Sequence, residues 1–205
     1  SIAMSDIKER PILFSGEMVR AVLDGRKTQT RRVIKPQPHA GIRQSVFVPS
    51  GWEDGHGYEI KCPYGQAGDR LWVRETWLYV GPGSGSELSY AIDETKDPAN
   101  HIRENAWHRA TKSDDSLRWK PSIFMPRWAS RILLEVTGVR VERVQEISQS
   151  DAKAEGVVAW HDTKDGTVYR PEFQMLWDTI NAKRGYGWDT NCWVWVVEFK
   201  QIIPQ

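Results

Sequence analysis

The chain has 205 residues, 40% of them hydrophobic, with 28 Lys and Arg against 27 Asp and Glu for a net charge of +1. That is enough apolar material for one large domain, or one domain with insertions. The balanced charge excludes a polycation, so any hold on nucleic acid must come from a local patch. Cys62 and Cys192 stand far apart and outside any CxxC, the usage of free thiols in a reducing cytoplasm. The five histidines, His39, His56, His101, His108 and His161, make no metal-ligand spacing with them, so neither structural zinc nor a cofactor is expected. No apolar run is long enough for a membrane span. Ser1–Ala3 read as the remnant of a cleaved tag and Met4 as the natural start, with no signal peptide.

The first helix is predicted over about 15–24, with Ser15 as N-cap and Phe14 and Val19 at the staple positions. Gly25 stops it in the left-handed region. The segment that follows, Gly25-Arg26-Lys27-Thr28-Gln29-Thr30-Arg31-Arg32-Val33-Ile34, concentrates cations and hydroxyls in one place. Such a cluster suits a phosphate, a carbonyl oxygen or a base edge. It equally suits a solvated face meeting the helix macrodipole.

A strand is expected from about Gln29 to Ile34, ended by Lys35-Pro36-Gln37-Pro38. Residues 36–67 are Gly- and Pro-rich and read as a long insertion, with a short hairpin near Val46–Val48 and Tyr58–Lys61. Gly68-Asp69 makes a turn into a strand over Arg70–Trp77, apolar on both faces. Val80–Ser86 reads as a flexible connection, Ser89–Ile92 as a short strand, and 98–108 as a short helix. The Pro-rich stretch 119–128 suits no regular element. Arg131–Thr137 and Val139–Val144 read as two strands separated by Gly138. In the second, Val139, Val141 and Arg143 share one side, and Arg140, Glu142 and Val144 the other. Ser148 caps a helix that runs to Glu155 and stops at Gly156. Pro171 opens a last helix over about 172–182, with Phe173, Leu176, Trp177 and Ile180 on one stripe. Trp193–Phe199 closes the chain as a buried strand. The eleven tryptophans are mostly core material, with one or two placed to line a pocket.

About six strands in adjacent runs with three helices favour an α+β fold, a small closed or semi-closed β-barrel with flanking helices and two long insertions. Gly25-x-Lys27-x-x-Thr30-x-Arg32 resembles the Gly-x-Lys-x-x-Glu-x-Arg motif of the ASCH domain, a relative of the PUA fold. Thr30 stands where that motif usually has Glu. The order of the remaining elements is similar too: Gly68-Asp69, the Arg131–Val144 strands, Asp151-Ala152-x-Ala154-Glu155-Gly156, and the terminal Trp193–Phe199 strand. The pattern resembles the longer phage and prophage members. It implies a single domain over 4–205, a PUA-like barrel with insertions at about 36–67 and 80–120, and a cleft for RNA or nucleotide-like ligands.

Small relatives with Thr at that place are amidohydrolases of N4-acetylcytidine. By resemblance the catalytic set is Lys27, Thr30 and Glu155. Arg26, Arg31, Arg32 and Glu75 are expected on the ligand side. Thr30 would attack the acyl carbon, and Lys27 could take its proton only if burial and neighbouring arginines lowered its pKa. On an ideal strand Lys27 would point away from Thr30, so residues 26–28 must turn. The expected partner is a nucleoside or RNA in the cytoplasm, with neither a membrane nor an obligate protein partner. Two rival readings stay open: a non-catalytic RNA-binding module, in which Lys27, Arg31 and Arg32 grip phosphate, and a ribonuclease using the same cleft.

Overall fold

A computed structural model describes residues 7–79, 106–109, 118–159, 162–163 and 166–202. Its elements run in chain order as β1 (Glu9–Leu13), α1 (Gly16–Leu23), β2 (Gln29–Val33), β3 (Ile42–Gln44), β4 (Trp52–Asp54), β5 (Arg70–Arg74), β6 (Trp77–Tyr79), β7 (Ala106–His108), β8 (Leu133–Arg143), α2 (Gln149–Ala154), β9 (Asp162–Thr163), β10 (Gly166–Thr167), α3 (Arg170–Asn181) and β11 (Trp193–Ile202). Five strands form one sheet in the order β1–β5–β8–β11–β2, with β1 and β5 parallel and the other pairs antiparallel. Three two-stranded ribbons stand beside it, β3 with β4, β6 with β7 and β9 with β10.

The period-2 alternation of β11 explains the two cores. Trp195, Val197 and Phe199 face one way and pack with Leu71, Leu134 and Val136 under Val19 and Val22 of α1. Val194 and Val196 face the other way and meet Ala152 of α2 and Phe173 and Trp177 of α3. The sheet is thus covered on both faces, and its edge strand β2 lies where the helical covers converge. The fold is a mixed α+β arrangement, as expected.

The closed barrel is not formed: among the described residues β1 and β2 are the two edges of an open sheet. Instead, the chain entering β2 is capped by the end of α2, where the Thr28 N–H donates to the Ala154 carbonyl at 2.9 Å. An exposed edge is a pairing liability, and this contact blunts it. The two strands expected on either side of Gly138 are one, β8. Gly138 sits in close approach rather than in a turn, because a Cβ there would lie 2.9 Å from a Glu198 carboxylate oxygen.

In the first insertion the hairpin uses β3 and β4, not Val46–Val48. The Ser45 and Ser50 hydroxyls accept from the Phe47 and Trp52 N–H groups, local bonds that compete with a ladder. Val46 and Phe47 are left exposed. The Tyr58–Lys61 part of that expectation does return to β4, through Ile60 N–H to the Trp52 carbonyl at 2.9 Å. In the second insertion, residues 106–108 form β7 rather than the end of a helix, because pairing with β6 overrides local propensity. Residues 98–105, the strand expected at 89–92 and the connection at 80–86 lie outside the described residues.

Candidate functional site

Ser15 accepts from the Met18 N–H and starts α1; Gly25, at φ +71°, ends it. The Arg26 and Lys27 N–H groups both donate to the Ala21 carbonyl at 2.9 Å. The chain therefore turns over 24–28 before β2 begins, the geometry Lys27 requires to leave the strand's alternation. Lys27 forms an isolated bridge with Glu155, and its side chain is wholly shielded from solvent.

Glu155 arrives from the C-cap of α2. Ser148 caps that helix by accepting from the Asp151 N–H at 3.0 Å. Gly156 follows at φ +86°, and a Cβ there would meet Ala21 Cβ at 2.8 Å and Lys27 Cβ at 2.9 Å. Only glycine permits this approach, which seats Glu155 against Lys27. Lys27 Nζ donates to the Glu155 carbonyl at 2.8 Å and to Oε2 at 2.9 Å. Arg31 donates to Glu155 Oε1 at 3.2 Å through one guanidinium nitrogen, and to Glu142 at 2.7 Å and Asp151 at 3.2 Å through another. Arg140 extends the network to Glu142, Asp151 and Glu198.

Burial is the largest influence on Lys27 and lowers its pKa. The Glu155 carboxylate opposes this, and Arg32 and Arg31 add to it, so the net shift is downward from 10.5. Burial raises Asp151, but Arg31 and Arg140 outweigh it and hold the carboxyl below its ordinary value.

On β2, Thr30 and Arg32 share the face of their register partners Val197 and Trp195, whereas Arg31 turns to the other. Lys27 Nζ and the Arg32 guanidinium each lie 5.5 Å from the centre of the Phe14 ring. Lys27 therefore joins the Thr30–Arg32 side. Thr30 and Glu155 open on a cleft of about 420 Å³ between the insertion at Ile60–Tyr64 and the apolar stripe of α3. Lys27 lies behind Glu155 rather than on the cleft wall. No hydrogen bond among the described residues engages the Thr30 hydroxyl, so it is not bonded to Lys27 here. Catalytic hydrogen bonds are often long without substrate.

Of the residues expected from sequence, Lys27, Thr30, Arg31, Arg32 and Glu155 come together. Arg26 does not line this cleft. It is exposed and donates to the Gly156 carbonyl and to Asp24, both at 2.9 Å. Glu75 lies elsewhere, 1% exposed and held by Arg131 at 2.9 and 3.0 Å. Arg140, Glu142, Asp151, Lys35 and Arg184 were missed as site residues. A signal existed for two of them: Arg140 and Glu142 share a strand face, and charges on a face with the buried Val144 need partners. Among the described residues no group of three or more His, Cys, Asp or Glu is arranged to hold a metal, and no helix is long and apolar enough to cross a membrane.

What fold and site define together is a mixed α+β domain with a buried Lys–Glu–Arg cluster beside a hydroxyl at the wall of a cleft. No family model matches the sequence, and no curated protein matches it either. A solved structure that is similar is protein EF3133 from Enterococcus faecalis V583, described under the family model DUF984. The identity is 10% and the TM-score 0.44, over 97% of this chain and 82% of that one. At that level the likeness carries no argument.

Proposed function

We propose that the protein hydrolyses an N4-acylcytidine-like amide, with Thr30 as nucleophile, Lys27 as base and Glu155 as the group that orients Lys27. The ASCH-type motif and a PUA-like ancestry of the sheet belong to the same reading. One observation carries it: a buried amine with a lowered pKa sits on the strand face of an unengaged hydroxyl that opens on a cleft.

The chemistry is consistent with the donors present. A neutral amine has two N–H groups and one lone pair. The Glu155 carbonyl and carboxylate accept both N–H groups, which leaves the lone pair for the Thr30 proton. The Thr30 oxygen forms a bond to the acyl carbon, and the tetrahedral oxyanion is a group for a backbone N–H to hold. The Lys27 ammonium returns its proton to the departing N4 as the C–N bond breaks, releasing cytidine. Water then hydrolyses the threonyl ester and releases the acid. The 420 Å³ cleft falls in the ~300–1,000 Å³ range of small-molecule sites.

The test is release of cytidine from N4-acetylcytidine by the parent chain, Thr30→Ala and Lys27→Ala. Release by the parent alone supports the proposal. No release at any enzyme level, with retention of RNA on a gel and a steep fall of affinity with salt, replaces it with a binding module. Cleavage of the RNA in that experiment replaces it with a ribonuclease. One observation weighs against Lys27 and Arg31 as phosphate grips: both are already ion-paired with carboxylates, Lys27 to Glu155 and Arg31 to Glu142, Asp151 and Glu155.

A further inference from the structure

The cleft wall carries more positive charge than its carboxylate can balance. Its cations are Arg31, Arg32, Lys35, Lys61 and Arg184, and its one acidic side chain is Glu155. Glu155 is already taken by Lys27 and Arg31, and Lys61 is paired with Glu59 at 2.9 Å. Arg32, Lys35 and Arg184 have no ion pair among the described residues. Lys35 rests over the Tyr186 ring at 5.0 Å. Arg32 gives one terminal nitrogen to the Leu13 carbonyl at 2.7 Å, while its other terminal nitrogen donates to no described residue.

Burial is the main cause of a lowered Arg32 pKa. Tyr64 and Glu155 oppose it, and Arg184 is near enough to lower it further. An arginine guanidinium stays charged in a protein at neutral pH. Two like charges near each other, opposed by a Glu155 already shared with Lys27 and Arg31, disfavour the empty site, and a dianion relieves both. A planar guanidinium with free donors matches phosphate oxygens, commonly as a bidentate pair.

We infer that Arg32 and Arg184, with Lys35 at the rim, form a phosphate subsite, so the ligand of this cleft is a phosphorylated nucleotide rather than a neutral nucleoside. The inference rests on the nucleoside-binding part of the proposed function and sharpens its substrate class. The phosphate belongs to a mononucleotide or to one residue of an RNA; the chemistry recognised is the same. The subsite also orients the ligand. With phosphate at Arg32 and Arg184, the base is left toward Thr30 and Glu155.

Calorimetric titration of the full chain with cytidine, cytidine 5′-monophosphate and inorganic phosphate tests this without any turnover. The monophosphate should bind about 10–100-fold more tightly than cytidine, the scale of hydrogen bonds to charged groups. In Arg184→Gln the ratio should fall to about 1–3, whereas Lys183→Gln, which loses the same charge one residue away, should keep it. Equal affinities for the two ligands in the parent overturn the inference, as does an equal loss of the ratio in Lys183→Gln. A short oligonucleotide with internal phosphodiesters and no terminal phosphate serves as the second arm. If it competes as well as the monophosphate, the subsite stands and belongs to a polymer; if it does not, the subsite belongs to a mononucleotide. A phosphate preference in a chain that hydrolyses nothing upholds the subsite and removes the hydrolase proposal. Hydrolysis of free N4-acetylcytidine with no phosphate preference does the reverse.

Discussion

Two buried glutamates stand at opposite ends of this molecule's chemistry. Glu75 is 1% exposed and Glu155 is 4% exposed. Each is ion-paired; Glu155 was expected in the catalytic set and Glu75 on the ligand side. Glu75 is locked by a single arginine through both oxygens and does not line the cleft on which Thr30 opens. Glu155 is shared between a lysine and an arginine and borders a cleft. The difference lies in the cation and in access. A guanidinium cannot surrender its proton in a protein, whereas a desolvated ammonium can. Burying a carboxylate therefore does not make a site. Pairing it with a titratable amine beside a hollow gives it something to do.

The largest expected effect breaks that comparison at the reaction. Thr30→Ala and Lys27→Ala should each lower kcat/KM for N4-acetylcytidine by ~100-fold or more, the scale of lost nucleophilic and general-base catalysis. Lys27→Arg keeps a cation on Glu155 but supplies no base, so its unfolding free energy should be recovered better than its kcat.

A second prediction compares the two pairs by stability. Arg131→Met leaves Glu75 with no cation and should cost about 3–5 kcal/mol, as for a broken buried pair. Lys27→Met leaves Glu155 still bonded to Arg31 and should cost less. Urea unfolding of the two variants checks the order; a larger loss in Lys27→Met would contradict it.

Gly156→Ala is expected to cost about 1–3 kcal/mol, since its φ of +86° disfavours a side chain and the new Cβ meets Ala21 and Lys27. It should also lower activity, because the atom it strikes belongs to Lys27. Activity retained alongside lost stability would separate the turn from the site.

The smallest effects are pH dependences. Lys27 has a folded pKa below its unfolded value, so between the two the unfolded chain binds more protons. Its penalty is full below the folded pKa and is relieved as pH rises toward 10.5. The parent should gain stability over that interval relative to Lys27→Met. Asp151 is lowered too, so its slope has the same sign at a lower pH: its contribution is present above 3.8 and is lost as pH falls through its depressed folded value. Asp151→Asn should therefore flatten the acid limb of the stability curve.

Local sequence was sufficient for the parts whose physics is local. Ser15, Gly25, Ser148 and Gly156 mark helix ends through caps and a left-handed residue, and those signals act within a few residues. The alternation of β11 and the stripe of α3 likewise named the faces that carry the two cores. What the sequence left undecided depends on residues far apart in the chain. Whether the sheet closes depends on what covers the start of β2, and Ala154, 126 positions after Thr28, covers it. Whether Arg31 faces ligand or protein depends on Glu142, Asp151 and Glu155, more than 100 residues away. Which cations stay free to meet an anion is a subtraction made only after every carboxylate has found its partner. A chain sets propensities and patterns by itself; charge pairing is settled by proximity, which folding alone creates.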